Sequence, residues 1–286
     1  MASRIPPLLD PYLGPPPETS LVVLGGILGS TTNWLVLRYL YSLLSAPSKP
    51  VTHEDGLHSP SENGTSVVLV SFLRDYSFWK DGAGKLGIDL DVSARKGRFV
   101  FVDGLTGLFQ TSQSRTTIHT SEGAPKTRVL SSATLQHLRK GLEDAIALVQ
   151  HSASGHKTVL IIDQPDLLLA ASGESISSQG LRETLLDIRE KVHSSVVTLS
   201  ADEPLLSPQA TFLEKDHAAF AVSLAHDAYI VINLRMLDTG AARDVSGVLR
   251  ATPGGGMVDG MKVVEEQELL YFVAGDGGVR VFERGQ

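Results

Sequence analysis

The chain has 286 residues, 42% of them hydrophobic, enough for one large α/β domain or two small ones with a sizeable core. It contains no cysteine, which excludes a disulfide scaffold, a thiolate metal site and a cysteine nucleophile. A formal net charge of −7, from 32 acidic and 25 basic residues, argues against a stand-alone nucleic-acid binder, because phosphate contacts need positive potential.

The first 20 residues, "MASRIPPLLDPYLGPPPETS", are Pro-rich and read as an N-terminal tail without an apolar stretch of signal-peptide length. The most apolar region, Leu21 to Leu44, is interrupted by Ser30, Thr31, Thr32, Asn33 and Arg38, so it is a poor membrane span. No membrane association is expected. Residence in the cytoplasm is, with a nuclear share left open. Asn63 opens an "NGT" sequon that has no meaning without secretion.

From residue 21 onward, short β-branched runs recur without alternation. They are "LVVL" at Leu21, "VVLV" at Val67, "FVFV" at Phe99, "TVLIID" at Thr158 and "VVTL" at Val196. Continuous apolar strands are covered on both faces, which implies a mostly parallel sheet. Helical patterns lie between them: Thr31 to Ser45, Ser131 to His151 with Leu138, Leu142 and Ile146 in register, and Gln179 to His193 with Leu181, Leu185 and Ile188 on one stripe. A further helix, "LEKDHAAFAVSLAHDA", carries His217 and His226. Then "AYIVINL", "VSGVLRAT", "LLYFVA" and "VRVFE" follow one another through Gly-rich turns too short for a crossover, so they are expected to form an antiparallel extension. The whole of residues 21–286 thus reads as one doubly wound α/β domain. Two segments, about 45–66 and 110–128, are rich in Ser, Thr, Pro, Gly and charge, and read as long flexible loops.

The stretch "LVVLGGILGSTTNWLVLRYL" has the order of a phosphate loop: strand, glycines, small hydroxyl residues, helix. Aligned on Gly29, the Walker A pattern places Leu24 at its first glycine, Ser30 at its lysine and Thr31 at its magnesium-binding hydroxyl. Gly25 and Gly26 keep the turn supple. The helix N-terminus still offers backbone donors. The ammonium that offsets β- and γ-phosphate charge is missing, however, and Arg38 lies roughly 10 Å up the helix axis. The main reading is a strand-to-helix corner that has lost its chemistry, with no cofactor. The alternative is an active nucleotide phosphohydrolase with an atypical loop.

Asp163 ends an apolar strand as a Walker B aspartate does. The plainer reading is a cap or ion-pair partner. The nine histidines show no metal-ligand spacing; His217 and His226 are expected at the surface or at caps, since nine residues is about two and a half turns. "RDYSFWKDG" interleaves aromatics with basic residues. That reads either as a single-strand nucleic-acid platform or as a loop whose Tyr76, Phe78 and Trp79 serve a core or subunit contact.

Taken together, "SFLRDYSFWK" (Ser71 to Lys80), "FVDGLTGLF" (Phe101 to Phe109), "VLIIDQPDLLLA" and "DVSG" (Asp244 to Gly247) resemble the family of the sixth subunit of the Elongator complex, in a fungal-type version. The resemblance spans nearly the whole chain. It implies a RecA-like, P-loop-type fold without working Walker motifs. It also implies assembly with the fourth and fifth Elongator subunits into a hetero-hexameric ring, contact with the remaining Elongator core, and service to wobble-uridine (U34) modification through tRNA binding and release. Where RecA-like enzymes carry a catalytic Glu after the second core strand, this chain has Leu73, and Asp75 stands two residues late. Arg115, Lys126 and Arg128, in the second long loop, are candidate RNA contacts. No catalytic residue and no metal ligand is assigned.

Overall fold

The computed structural model describes residues 4–45, 64–109, 127–173, 175–207, 210–237, 242–256 and 264–284. Its strands are β1 (Leu21–Gly26), β2 (Thr65–Ser71), β3 (Phe99–Asp103), β4 (Arg128–Val129), β5 (Lys157–Asp163), β6 (Ser194–Ser200), β7 (Ile230–Arg235), β8 (Gly247–Pro253), β9 (Gln267–Val273) and β10 (Val279–Glu283). They form one sheet in the order β10-β9-β8-β7-β1-β6-β5-β2-β3-β4. From β7 to β4 every pairing is parallel. The pairings β7–β8, β8–β9 and β9–β10 are antiparallel. This is the mostly parallel sheet with an antiparallel C-terminal extension that the sequence implies, and it is consistent with a RecA-like fold.

The helices are α1 (Asp10–Leu13), α2 (Asn33–Ser45), α3 (Tyr76–Lys85), α4 (Leu90–Arg95), α5 (Thr106–Phe109), α6 (Leu135–Ser152), α7 (Leu167–Ala171), α8 (Ser178–Arg189), α9 (Glu203–Leu206) and α10 (Phe212–Asp227). Period-two alternation splits each central strand between two cores. In β1, Val22 and Leu24 pack with α2, α3 and the N-terminal segment, whereas Leu21 and Val23 pack with α6, α8 and α10. Both faces are therefore apolar, which is why these strands read as unbroken hydrophobic runs.

Local signals fix the helix starts. Thr134 caps α6 by accepting from the His137 amide, and Thr211 with Glu214 forms a reciprocal capping box on α10. Asp75 caps α3, and Asp89 caps α4, each accepting an amide three residues on. These two short helices occupy the stretch that the aromatic-and-basic pattern left open between a platform and a loop.

The Pro-rich segment is bound to the body rather than hanging from it. Leu9 and Leu13 are fully buried in the first core, and each such leucine contributes about 1.5–3 kcal/mol on burial. The Tyr12 hydroxyl donates to Gln267 at 3.0 Å, and Tyr39 donates to the Tyr12 carbonyl at 2.7 Å. The prolines hide the apolar pair from a helix-period reading, because they break the helix after one turn. Most of residues 45–66 and 110–128 lie outside the described residues. Their ends do not: β2 begins at Thr65, and Arg128 opens β4.

Candidate functional site

Parallel α/β sheets bind ligands at the carboxyl ends of their strands. Here β1, β6, β5 and β2 end side by side, with Gly26 opposite Ser200, Asp163 opposite Thr198, and Ser71 opposite Asp163. All the Walker-like residues of the sequence meet on this edge.

The loop after β1 is folded tightly on itself. A Cβ on Gly26 would lie 2.7 Å from the Ser30 carbonyl oxygen, so only glycine permits the return. Gly29 makes the turn at φ +90°, a backbone region that other residues resist. Several of the loop's amides are already engaged. Ser30 N–H donates to the Ile27 carbonyl at 2.8 Å, and Asn33 N–H to the Thr31 hydroxyl at 3.2 Å. Leu28 N–H donates to the Asp202 carboxylate at 2.6 Å. An acid thus holds a donor that a phosphate loop would aim at its ligand, and brings negative charge to the place where a triphosphate would arrive. Ser30 is buried and short. Arg38 turns away, donating through Nη2 to the Gly277 carbonyl at 2.8 Å.

Among the described residues Asp163 caps no helix and has no ion-pair partner within salt-bridge distance. It is fully buried and accepts from Ser71 Oγ of β2 at 2.7 Å and from Thr198 Oγ1 of β6 at 2.9 Å. Burial pushes its carboxyl pKa up from the usual carboxylate range, against the pull of those two hydroxyls. It ties three strands together instead of facing a cation. Gln164 follows in the left-handed region at φ +57° and accepts from Ser200 Oγ at 3.1 Å. On this edge Ser30 stands in the lysine position, the Asp202 carboxylate holds the Leu28 amide, and Asp163 is tied between β2 and β6, an arrangement that disfavours a magnesium triphosphate.

A second buried group was missed by the sequence pattern. His217, expected at the surface, is 3% exposed. Its Nε2 donates to the Ser200 carbonyl at 2.8 Å, and its Nδ1 lies 3.8 Å from Asp166. Asp166, also buried, accepts from the Ser200 amide at 3.2 Å, and burial raises its pKa. The imidazole is bonded to the backbone of Ser200 and not to its hydroxyl, so the trio has no hydrolytic geometry. Only the spacing of His217 toward the buried face of α10 hints at this role. His226 is exposed, as expected.

The aromatic-and-basic stretch divides in the same way. Trp79 is fully buried, and Tyr76 packs on Phe101 with ring centroids 5.4 Å apart while its hydroxyl donates to Asp91 at 2.5 Å. Lys80 also pairs with Asp91, at 2.7 Å. Phe78 alone of the three aromatics is exposed, with the Arg74 guanidinium 5.0 Å from its ring centre. Asp75 is a helix cap, and Leu73 stands partly exposed where a catalytic Glu would be. Of the candidate RNA contacts, Arg115 and Lys126 lie outside the described residues. Arg128 faces Asp144 at 3.6 Å. Among the described residues no cluster of His, Asp and Glu could hold a metal ion, and no helix is long and apolar enough to cross a membrane.

The family model described as Elongation complex protein 6 matches residues 61–271. The chain belongs to this family. Its relatives include the Elongator complex protein 6 homolog of Schizosaccharomyces pombe, 25% identical over 285 residues and covering 97% of each chain. Elongator complex protein 6 of Danio rerio is 25% identical over 231 residues, covering 78% of this chain and 81% of its own. That of Xenopus laevis is 24% identical over 230 residues, with the same shares. The family match begins after β1 and its loop, and takes in Asp163, Asp202 and His217, so it rests on the sheet core and not on the phosphate-loop remnant.

Proposed function

We propose that this chain is a non-catalytic structural subunit of Elongator. It takes its place beside the fourth and fifth subunits in a hetero-hexameric RecA-like ring attached to the Elongator core. The ring binds and releases tRNA and so supports modification of wobble uridine U34, acting in the cytoplasm. Family membership and the names of the relatives support the complex. The observation that carries the non-catalytic reading is the Leu28 amide bonded to the Asp202 carboxylate in a loop with Ser30 in place of lysine.

Native mass spectrometry of the chain co-expressed with the fourth and fifth subunits tests the assembly. A complex with two copies of each supports it; a lone, stable monomer at near-native ionic strength opposes it. Phosphate release by the same preparation tests the alternative of an active phosphohydrolase: turnover that disappears with Ser30→Ala in this subunit would establish that alternative.

A further inference from the structure

Bordered at one end by the phosphate-loop remnant, a pocket of about 530 Å³ opens between α2, α3, the end of β9 and the turn at Gly277. The volume is that of a small-molecule site. Its walls are aromatic: Trp34 and Tyr271 stand with ring centroids 5.1 Å apart, and Phe78 lines another side. Its charge is unusual. Arg38 lines it, 2% exposed, with one bond to the Gly277 carbonyl and, among the described residues, no partner for Nε. Burial lowers the Arg38 pKa, with no carboxylate acting to restore it. The Trp34 indole N–H is likewise buried and, among the described residues, has no partner. Lys85 adds a second cation to the lining, against the single carboxylate of Asp81.

A buried guanidinium without a counter-ion is costly, because neither water nor an acid compensates its lost hydration. Among the described residues Arg38 has no such partner, and it stands in the wall of an open, aromatic-lined pocket. The folded-over loop at Gly29 and Thr31 borders one end of that pocket, and the Asp202 carboxylate on the neighbouring Leu28 amide disfavours a polyphosphate there. A single negative charge on a flat apolar body answers all of these features: the charge offsets Arg38 and Lys85, and the body fills the space between Trp34, Phe78 and Tyr271.

We propose that this pocket binds an organic anion, namely a carboxylate carried on an aromatic or flat apolar body. The site does not depend on ring assembly or on the absence of catalysis, and it is present in the single chain.

The test is a titration of the full-length chain with 2-naphthoate, followed by ligand-observed NMR and by tryptophan fluorescence. The neutral 2-naphthamide serves as control. The expected result is saturable binding of 2-naphthoate and at least tenfold weaker binding of the amide. Arg38→Met, which keeps the bulk and removes the charge, abolishes that preference. Lys85→Gln, at an exposed lining position, is expected to weaken 2-naphthoate several-fold and so keeps the test meaningful if the Arg38 variant misfolds. Equal binding of acid and amide, no binding of either, or a preference unchanged in Lys85→Gln would each overturn the proposal. So would displacement of 2-naphthoate by ATP at lower concentration than any carboxylate, since the pocket would then be a nucleotide site.

Discussion

The Leu28 amide and the Asp202 carboxylate meet at 2.6 Å across 174 residues of sequence, which places an acid on an amide of the phosphate-loop remnant. The bond clamps the loop after β1 to the segment after β6. Asp202→Ala removes a charge-assisted bond in an exposed setting, so the stability loss is expected to be small, about 1 kcal/mol by urea denaturation. Ser30→Lys alone is expected to restore no phosphate release, because the carboxylate and the engaged amides remain. Hydrolysis by Ser30→Lys alone would show that the lysine was the sole deficit.

Asp163 offers a sharper contrast between the two readings of the same residue. As a magnesium ligand it could be changed with little effect on folding. As the acceptor shared by Ser71 and Thr198, its replacement leaves two buried hydroxyl protons without their acceptor. Asp163→Ala is therefore expected to lower stability by about 2–5 kcal/mol, read as a drop in the denaturation midpoint. An unchanged midpoint would remove Asp163 from the role of strand tie.

The pH response of the same residue has a defined sign. The Asp163 carboxyl is held above its ordinary 3.8 in the folded chain, so the folded state binds the proton more tightly than the unfolded one. Between 3.8 and the raised value, the unfolded chain has lost its proton while the folded chain keeps it. The contribution of this group to stability therefore falls as pH rises through that window. Asp163→Asn, which cannot ionise, is expected to show a stability deficit against the parent that shrinks with rising pH. Paired denaturation curves across the acid range check this; a deficit that widens with pH would reverse the sign.

Leu13 tests the attachment of the N-terminal segment. It is fully buried against the first core, and Leu13→Ala is expected to cost about 2–5 kcal/mol. A cost near zero would return residues 4–20 to the status of a tail.

For RNA contact, the informative change is Arg115, Lys126 and Arg128 all to Ser in the assembled ring. Arg128 and Asp144 form a half-exposed pair worth less than about 1 kcal/mol, so folding is expected to persist. Weaker tRNA binding with a shallower salt dependence is the outcome that favours contact; unchanged affinity and slope would remove these residues from the interface.

The sheet was legible because its strands are covered on both faces. Val22 and Leu24 serve one core while Leu21 and Val23 serve the other, and that double burial wrote an uninterrupted apolar run. The long helices were legible from stripes such as Leu138, Leu142 and Ile146. Helix α3 was harder, since Gly82 and Gly84 weaken its propensity and only the cap at Asp75 marks its start. The site was legible only in its deficits. Ser30 could be read as a missing lysine, but Asp202 lies too far along the chain to show as a spacing, and the partners of Asp163 come from β2 and β6, 92 and 35 residues away. Contacts of that separation exist only once the sheet has formed.

The most direct measurement is isothermal titration of the purified full-length chain with magnesium ATP. A loop closed by Asp202, with Asp163 locked between β2 and β6, is expected to give no heat of saturable binding at the carboxyl edge and no phosphate release. Stoichiometric binding that is lost in Ser30→Ala, accompanied by turnover, would contradict it.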